Sequence, residues 1–291
     1  MRYHRYHAIG NDYIVIAESS TSEPLTPARI RRICDRNFGV GSDGILMHEN
    51  DRNRDSGSAS HARPDPNSLR IYNPDGSESE KSGNGLRIFA RYLFDTKRVG
   101  TDPFEVITQG GTVTCVVRSD GRSVTVDMGR LTFDSTKIPV AGPPRDVLLE
   151  RFTIDGVELE YSCASIGNPH CVILRDSLSE EDARRFGPHI EVEPRFPNRT
   201  NVQFVRVIDR NTIDIRIWER GAGYTLASGS SSSAAAGVMH KLGLCDDRIT
   251  VRMPGGEIGI EIGNDFAIRM TGPVTHIADG DIDPECLAGA T

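Results

Sequence analysis

E-K-S-G-N-G-L-R-I-F-A-R-Y-L (Glu80–Leu93) and L-A-S-G-S-S-S-S-A-A-A (Leu226–Ala236) each read as a sharp turn feeding a helix. Ser82 and Ser228 stand where those helices begin, and each is followed by glycine. A serine in that place is either an N-cap, accepting from an N–H of the first turn, or the seat of a reaction. Ile71 precedes Ser82 by eleven residues, and Ile217 precedes Ser228 by eleven. Ile9-Gly10-Asn11-Asp12 likewise has a counterpart in Ile166-Gly167-Asn168-Pro169. Two landmarks in the same order in both halves point to a duplication: a pseudo-symmetric pair of domains with a cleft between them, a natural place for a small molecule.

Composition agrees with that scale. The chain has 291 residues, 37% apolar and 26% charged, enough for two domains with their own cores. A net charge of −7 with scattered basic residues argues for solubility and against a nucleic-acid surface. No apolar run reaches the ~18 residues of a membrane helix, and the N-terminus M-R-Y-H-R-Y-H lacks the apolar region of a secretory signal. The six cysteines (Cys34, Cys115, Cys163, Cys171, Cys245, Cys286) have neither CxxC nor Cys/His ligand spacing. Buried free thiols in a cytoplasmic protein, with no metal, are expected.

Short strands dominate the rest. Tyr3–Glu18 reads as strand, turn, strand, and Thr26–Arg36 as a helix with Thr26 as N-cap and Pro27 at its first position. Glu49–Ser68 is polar and turn-rich and reads as an exposed, mobile loop. Leu69–Tyr72 reads as a strand, Gly83–Phe94 as a helix, and Phe104–Met128 as successive half-buried strands. The second half repeats the grammar, with strands through Arg151–Leu174, a helix near Ser179–Phe186 and strands through Thr200–Trp218. A helix over about Ser230–Leu242 and closing strands follow.

Free N–H groups and the dipole at a helix start bind carboxylates, and glycine lets a ligand approach the backbone. Ser82-Gly83-Asn84-Gly85 and Ser228-Gly229-Ser230-Ser231 are therefore candidates for two halves of a carboxylate cradle, with a pair of ordinary caps as the plain alternative. Asn11, Asn73, Asn168 and Asn201 fall in polar breaks at strand ends. Arg220 offers a fork for a carboxylate and Glu219 a partner for an ammonium, together a receptor for a zwitterionic amino acid. A surface ion pair is the plain reading of those two.

The segments H-A-I-G-N-D-Y, R-N-F-G-V-G-S-D-G, Y-N-P-D-G-S-E-S-E-K-S-G-N-G, S-I-G-N-P-H-C, T-N-V-Q-F and W-E-R-G-A-G-Y-T-L-A-S-G resemble, in order, those of the diaminopimelate epimerase family. The resemblance implies an α/β (α+β) fold of two similar domains, each a curved, mostly antiparallel sheet around a central helix, with the active site in the interdomain cleft. It places residues 1–125 plus 275–291 in the N-terminal domain and 126–274 in the C-terminal one. It implies cofactor-independent stereoinversion of LL- to meso-diaminopimelate or a similar amino acid in lysine and cell-wall precursor supply, in the cytoplasm. A homodimer is compatible with it. Asn11, Asn73, Asn168, Asn201, Glu219 and Arg220 match the anchors of the non-reacting end. Gly83, Asn84, Gly229 and Ser230 match the loops that bind the reacting carboxylate, and His170 matches a histidine near the reacting centre. Glu219 joins His170, Ser82 and Ser228 as a catalytic candidate.

The chain departs from the family where the chemistry happens. Ser82 and Ser228 stand where the family has its two cysteines, one thiolate taking the α-proton and the opposite thiol returning one. Tyr224, the S-S-S-S-A-A-A run and Gly44 also differ from the family's common residues. A serine hydroxyl needs an adjacent base. A helix dipole contributes about 0.3–1 kcal/mol, up to ~2 when partly buried, against ~1.4 kcal/mol per pKa unit, so it cannot replace a thiolate. Lys81, Glu80, His170 and Tyr224 are the candidate local bases. Three readings stay open: epimerisation through the serines, a related isomerase or lyase that begins with α-proton abstraction, and a homologue, diverged or Cys→Ser substituted, that only binds the amino acid.

Overall fold

The computed structural model describes residues 1–21, 23–49 and 67–288. Along the chain come β1 (Arg2–Ala8), β2 (Asn11–Ala17), α1 (Pro27–Cys34), β3 (Ile45–Glu49), β4 (Ser68–Tyr72), β5 (Glu78–Ser79), α2 (Gly83–Asp95), β6 (Phe104–Thr108), β7 (Gly111–Val117) and β8 (Ser123–Arg130). Then follow β9 (Glu150–Ile154), β10 (Val157–Ser165), β11 (Pro169–Leu174), α3 (Glu180–Glu191), β12 (Asn201–Asp209), β13 (Thr212–Glu219), β14 (Gly223–Thr225) and α4 (Gly229–Lys241). The chain closes with β15 (Arg248–Met253), β16 (Gly256–Ile262), β17 (Ala267–Pro273) and β18 (Thr275–Asp281). Two compact units result, one of Met1–Val126 with Pro273–Thr291 and one of Asp127–Gly272.

The two units share one pairing scheme. In the first, β1–β2 is antiparallel, β2–β3 parallel, β3–β4 and β4–β5 antiparallel, β4–β6 parallel, and β6–β7 and β7–β8 antiparallel. In the second, β10–β11, β11–β12, β12–β13, β13–β14, β13–β15, β15–β16 and β16–β17 repeat that order of antiparallel and parallel contacts. The strand beside the first member of each set is β18 against β1 and β9 against β10, both antiparallel. One repeat thus takes its extra strand from the end of the chain and the other from just before it.

Each sheet is covered on two faces. In the first unit Ile30, Ile33 and Cys34 of α1 pack on Ile14, Ile16, Ile45 and Met47. In the second, Ala183, Phe186 and Ile190 of α3 pack on Val202 and Phe204. The longer helices α2 and α4 are buried nearly all round. Leu86, Arg87, Ile88, Phe89, Ala90 and Leu93 are inaccessible in α2, and Ser231–Ala236 in α4. Burial on both faces explains the unbroken apolar runs at residues 13–16 of β2 and 171–173 of β11, whereas β8 and β15 alternate. The serine and alanine run of α4 has the same cause. That helix touches β10, β11, β12, β13, β15 and β16, which leaves space only for small side chains. Its buried hydroxyls return to the helix itself, Ser232 Oγ to Ser228 O and Ser233 Oγ to Gly229 O, both at 2.8 Å.

Three local expectations change. Most of Glu49–Ser68 lies outside the described residues, but its ends are strand, with Glu49 and Ser68 paired in register. Helix α3 runs on to Glu191 through Pro188, because Phe186 and Ile190 fall on one buried face. Cys286 is half-exposed, while the other five thiols are buried; Cys163 and Cys171 face each other across β10–β11. Among the described residues no helix is long and apolar enough to cross a membrane.

Overpacking and cavity formation test the central helices. Ala235→Leu, at a fully buried place in α4, is expected to destabilise by about 1–3 kcal/mol. Phe89→Ala, in the interior of α2, is expected to cost about 3–5 kcal/mol. Urea titration followed by circular dichroism measures both.

Candidate active site

Ser82 and Ser228 are both true N-caps. Ser82 Oγ accepts from Gly85 N at 3.1 Å and Ser228 Oγ from Ser231 N at 3.5 Å. A helix leaves its first four N–H groups without intrahelical partners, so Gly83, Asn84, Gly229 and Ser230 remain in the two exposed-dipole positions that favour an anion. Each serine has a further partner, and the two partners differ.

In the second unit the Glu219 side chain lies beside Ser228. The spacing from Ile217 to Ser228 brings this about: β13 ends at Glu219, turns back through β14 with Glu219 opposite Gly223, and the chain re-enters beside the strand end as α4. Burial pushes the Glu219 carboxyl above its ordinary value, and the neighbouring Ser228 opposes that rise. The adjacent Arg220 is held by its backbone, its N–H donating to Asn201 Oδ1 at 3.0 Å, while Asn201 Nδ2 donates to Pro169 O at 2.9 Å. Asn201 therefore ties the Asn168–His170 turn to Glu219–Arg220. Glu191 braces the same turn. It accepts from Gly221 N at 3.0 Å, Trp218 Nε1 at 2.8 Å and Arg199 Nη1 at 2.9 Å. Arg220 Nη1 donates to Asn198 O, and among the described residues no carboxylate lies within salt-bridge distance of Arg220.

His170 is fully buried, with Nε2 2.9 Å from Asn168 Oδ1. An amide oxygen only accepts, so the ring proton sits on Nε2. Burial, with the Arg220 charge adding to it and the Gln203 side chain opposing, lowers the imidazole to about 3. His170 is a neutral ring across the physiological range. Its Nδ1 and Gln203 Oε1 have no partner among the described residues, while Gln203 Nε2 donates to Ser231 Oγ at 3.1 Å. A half-turn of the Gln203 amide would pair both, giving a continuous line from Asn168 to the first turn of α4.

In the first unit Asn84 Nδ2 donates to Asn11 Oδ1 at 2.9 Å, and Asn11 Nδ2 to Asp43 Oδ2 at 2.9 Å. Arg87, one helical turn beyond Asn84, donates Nη2 to Asn84 Oδ1 at 2.8 Å. Burial lowers the Arg87 guanidinium to about 10, which leaves it charged at neutral pH. Arg36 reaches Asp43 and Asp12, and Asp12 also pairs with Arg5. Asn73 stands apart from this chain of bonds, its side chain donating to Ser77 Oγ within its own turn. Ser82 Oγ meets Tyr13 Oη at 3.4 Å.

The candidate bases divide accordingly. Glu219 is beside Ser228. Tyr224 turns to α3, where the Arg184 guanidinium lies over its ring at 4.6 Å. Sequence reasoning missed Arg87, a charge on the otherwise apolar face of a helix, and Glu191 and Tyr13, which carry no local signal. One group of described side chains has metal-ligand proximity: His4, His276 and Asp279 on β1 and β18, already joined by hydrogen bonds of 2.7 and 2.9 Å.

Comparison with known proteins gives these positions a context. The family model for diaminopimelate epimerase matches residues 3–133 and 162–277. A protein of Nostoc sp. strain PCC 7120 named diaminopimelate epimerase 2 is 54% identical over 288 residues, covering 99% of this chain and 98% of its own. The diaminopimelate epimerase of Desulfitobacterium hafniense is 37% identical over 290 residues, covering 98% and 99%. Among solved structures, a hydroxyproline epimerase from Agrobacterium vitis has a TM-score of 0.63 at 16% identity, covering 98% of this chain and 94% of its own. A methylitaconate-delta-isomerase has a TM-score of 0.60 at 13% identity, covering 99% and 97%. Both of these share the fold.

Two measurements follow from the geometry. Ser82→Ala is expected to lose about 1 kcal/mol of stability as a cap deletion alone, seen as a shift in denaturation midpoint. Glu219→Gln works the other way. A carboxyl whose folded pKa is raised is penalised once it ionises, so the wild-type protein loses stability as pH climbs from the unfolded value of roughly 4.3 through the folded one. The glutamine variant is expected to match wild type at pH near that lower limit and to exceed it at neutral pH; thermal melts across that range measure the difference.

Proposed function

Because the chain belongs to the diaminopimelate epimerase family, we propose that it is an isomerase that inverts the α-carbon of LL-diaminopimelate to the meso form, with Ser82 and Ser228 in the acid–base positions. The observation that supports this is the nearness of the partly buried Glu219 carboxyl to Ser228 at the start of α4. An alcohol is too weak an acid and base to act alone, and an adjacent carboxylate supplies what it lacks. As Ser228 Oγ takes the α-proton, its own proton passes to Glu219. The partly buried carboxylate, held above its ordinary basicity, is better matched to that task than a solvated one.

Stereoinversion needs an acid–base group for each face of the α-carbon, and each unit supplies one serine at a helix start. The N–H groups of Gly83, Asn84, Gly229 and Ser230 would stabilise the reacting carboxylate as negative charge builds on it. Arg220, with no carboxylate in reach among the described residues, suits the distal carboxylate of a diamino-dicarboxylic acid. Asn11, Asn73, Asn168 and Asn201 complete the anchoring of the non-reacting end. His170 enters as a neutral imidazole that fixes Asn168 through Nε2. The substrate is a small amino acid, and the reaction belongs to the cytoplasm, where such precursors are made.

The test is α-proton exchange and epimerisation of LL-diaminopimelate in deuterated water. Wild-type protein is expected to exchange and invert together, and Glu219→Gln to reduce kcat on the order of 100-fold or more. Exchange without inversion would sink the two-group reading, and binding without exchange would favour a non-catalytic receptor.

A further inference from the structure

We propose that Tyr13 is the proton partner of Ser82, so that the first unit carries a phenol–serine relay where the second carries a carboxylate–serine one. This rests on the epimerase reading above. Tyr13 lies within β2, buried, with its hydroxyl 3.4 Å from Ser82 Oγ. That is longer than the roughly 2.5–3.0 Å of a settled O–H···O bond, and such contacts tighten when substrate binds. The Gly85 N–H occupies one lone pair of Ser82 Oγ, leaving the second lone pair and the serine proton for Tyr13 and substrate. Among the described residues no other side chain hydrogen-bonds Ser82 Oγ.

Gly44 makes room for this arrangement. A Cβ at that position would stand 2.7 Å from Tyr13 Cε1 and 2.5 Å from the Tyr72 carbonyl oxygen. The ring sits where a side chain at residue 44 would be, so its direction toward Ser82 and the absence of a side chain at 44 belong together.

The proton count closes. Ser228 Oγ takes the α-proton while its hydroxyl proton moves to the Glu219 carboxylate. The electron pair left on the α-carbon takes the hydroxyl proton of Ser82, and Ser82 Oγ takes the phenol proton of Tyr13. Glu219 ends protonated and Tyr13 as phenolate, and solvent returns one proton from the first to the second. A phenol ionises near pH 10 in water and so enters the cycle holding its proton, whereas a carboxylate enters without one. The two serines are thereby given opposite starting roles.

Kinetics of Tyr13→Phe, Ser82→Cys and the double variant with LL-diaminopimelate test the relay. Tyr13→Phe is expected to lower kcat on the order of 100-fold with KM unchanged, because it removes one hydroxyl and keeps the ring. A thiol needs no phenol, so Tyr13→Phe in the Ser82→Cys background is expected to leave kcat as that single variant has it. Undiminished kcat in Tyr13→Phe would overturn the relay and leave the epimerase reading standing. An equal loss in both backgrounds would also overturn it, since altered packing alone gives that result. Absence of α-proton exchange in wild type would overturn the epimerase reading and the relay with it.

Discussion

A helix enclosed by its own sheet still leaves the N–H groups of its first turn without intrahelical partners. Both α2 and α4 are in that position, buried along nearly their whole length. Their first N–H groups must meet a side chain, water or a ligand. Ser82 and Ser228 meet part of that requirement as caps, and the remainder is what makes each helix start a site for an anion. The capping requirement thus falls on the same two residues that the proposed chemistry uses.

The surroundings of the two starts are built from different materials. Around α4 the polar contacts run through Asn201, Glu191 and the Glu219–Arg220 turn, with a partly buried carboxylate touching the serine. Around α2 they run from Arg87 through Asn84 and Asn11 to Asp43, with a tyrosine touching the serine. The same order of strand pairing thus carries an acidic partner on one side and a phenolic one on the other. A duplicated scaffold preserves backbone hydrogen bonds, which do not depend on side-chain identity, while the side chains at the helix starts are free to diverge.

Much of this was legible in the residues. Thr26 before Pro27, and Ser82, Ser179 and Ser228 before their helices, are caps that sequence alone reveals, since the signal is local. Alternation in β8 and β15 marks one buried face, and the unbroken apolar runs at residues 13–16 of β2 and 171–173 of β11 mark two. Polar composition hid the strand residues Glu49 and Ser68, because their pairing is set by the partner across the ladder. The helix expected near Ser179–Phe186 runs on to Glu191, through Pro188, because Ile190 packs on the same buried face as Phe186.

What the sequence by itself determined is the repeat, its helix starts, its strand grammar and the family, all of which rest on neighbours within a turn or on ordered motifs. Only the tertiary structure decided which group stands beside each serine. Glu219 reaches Ser228 because a short hairpin folds back on its strand, and Tyr13 reaches Ser82 across 69 residues of chain. It also decided that His170 is neutral, since burial among packed strands sets that, and no local pattern encodes it. Hydrogen-bond partners are chosen by distance in space, which the order of residues constrains only through the whole fold.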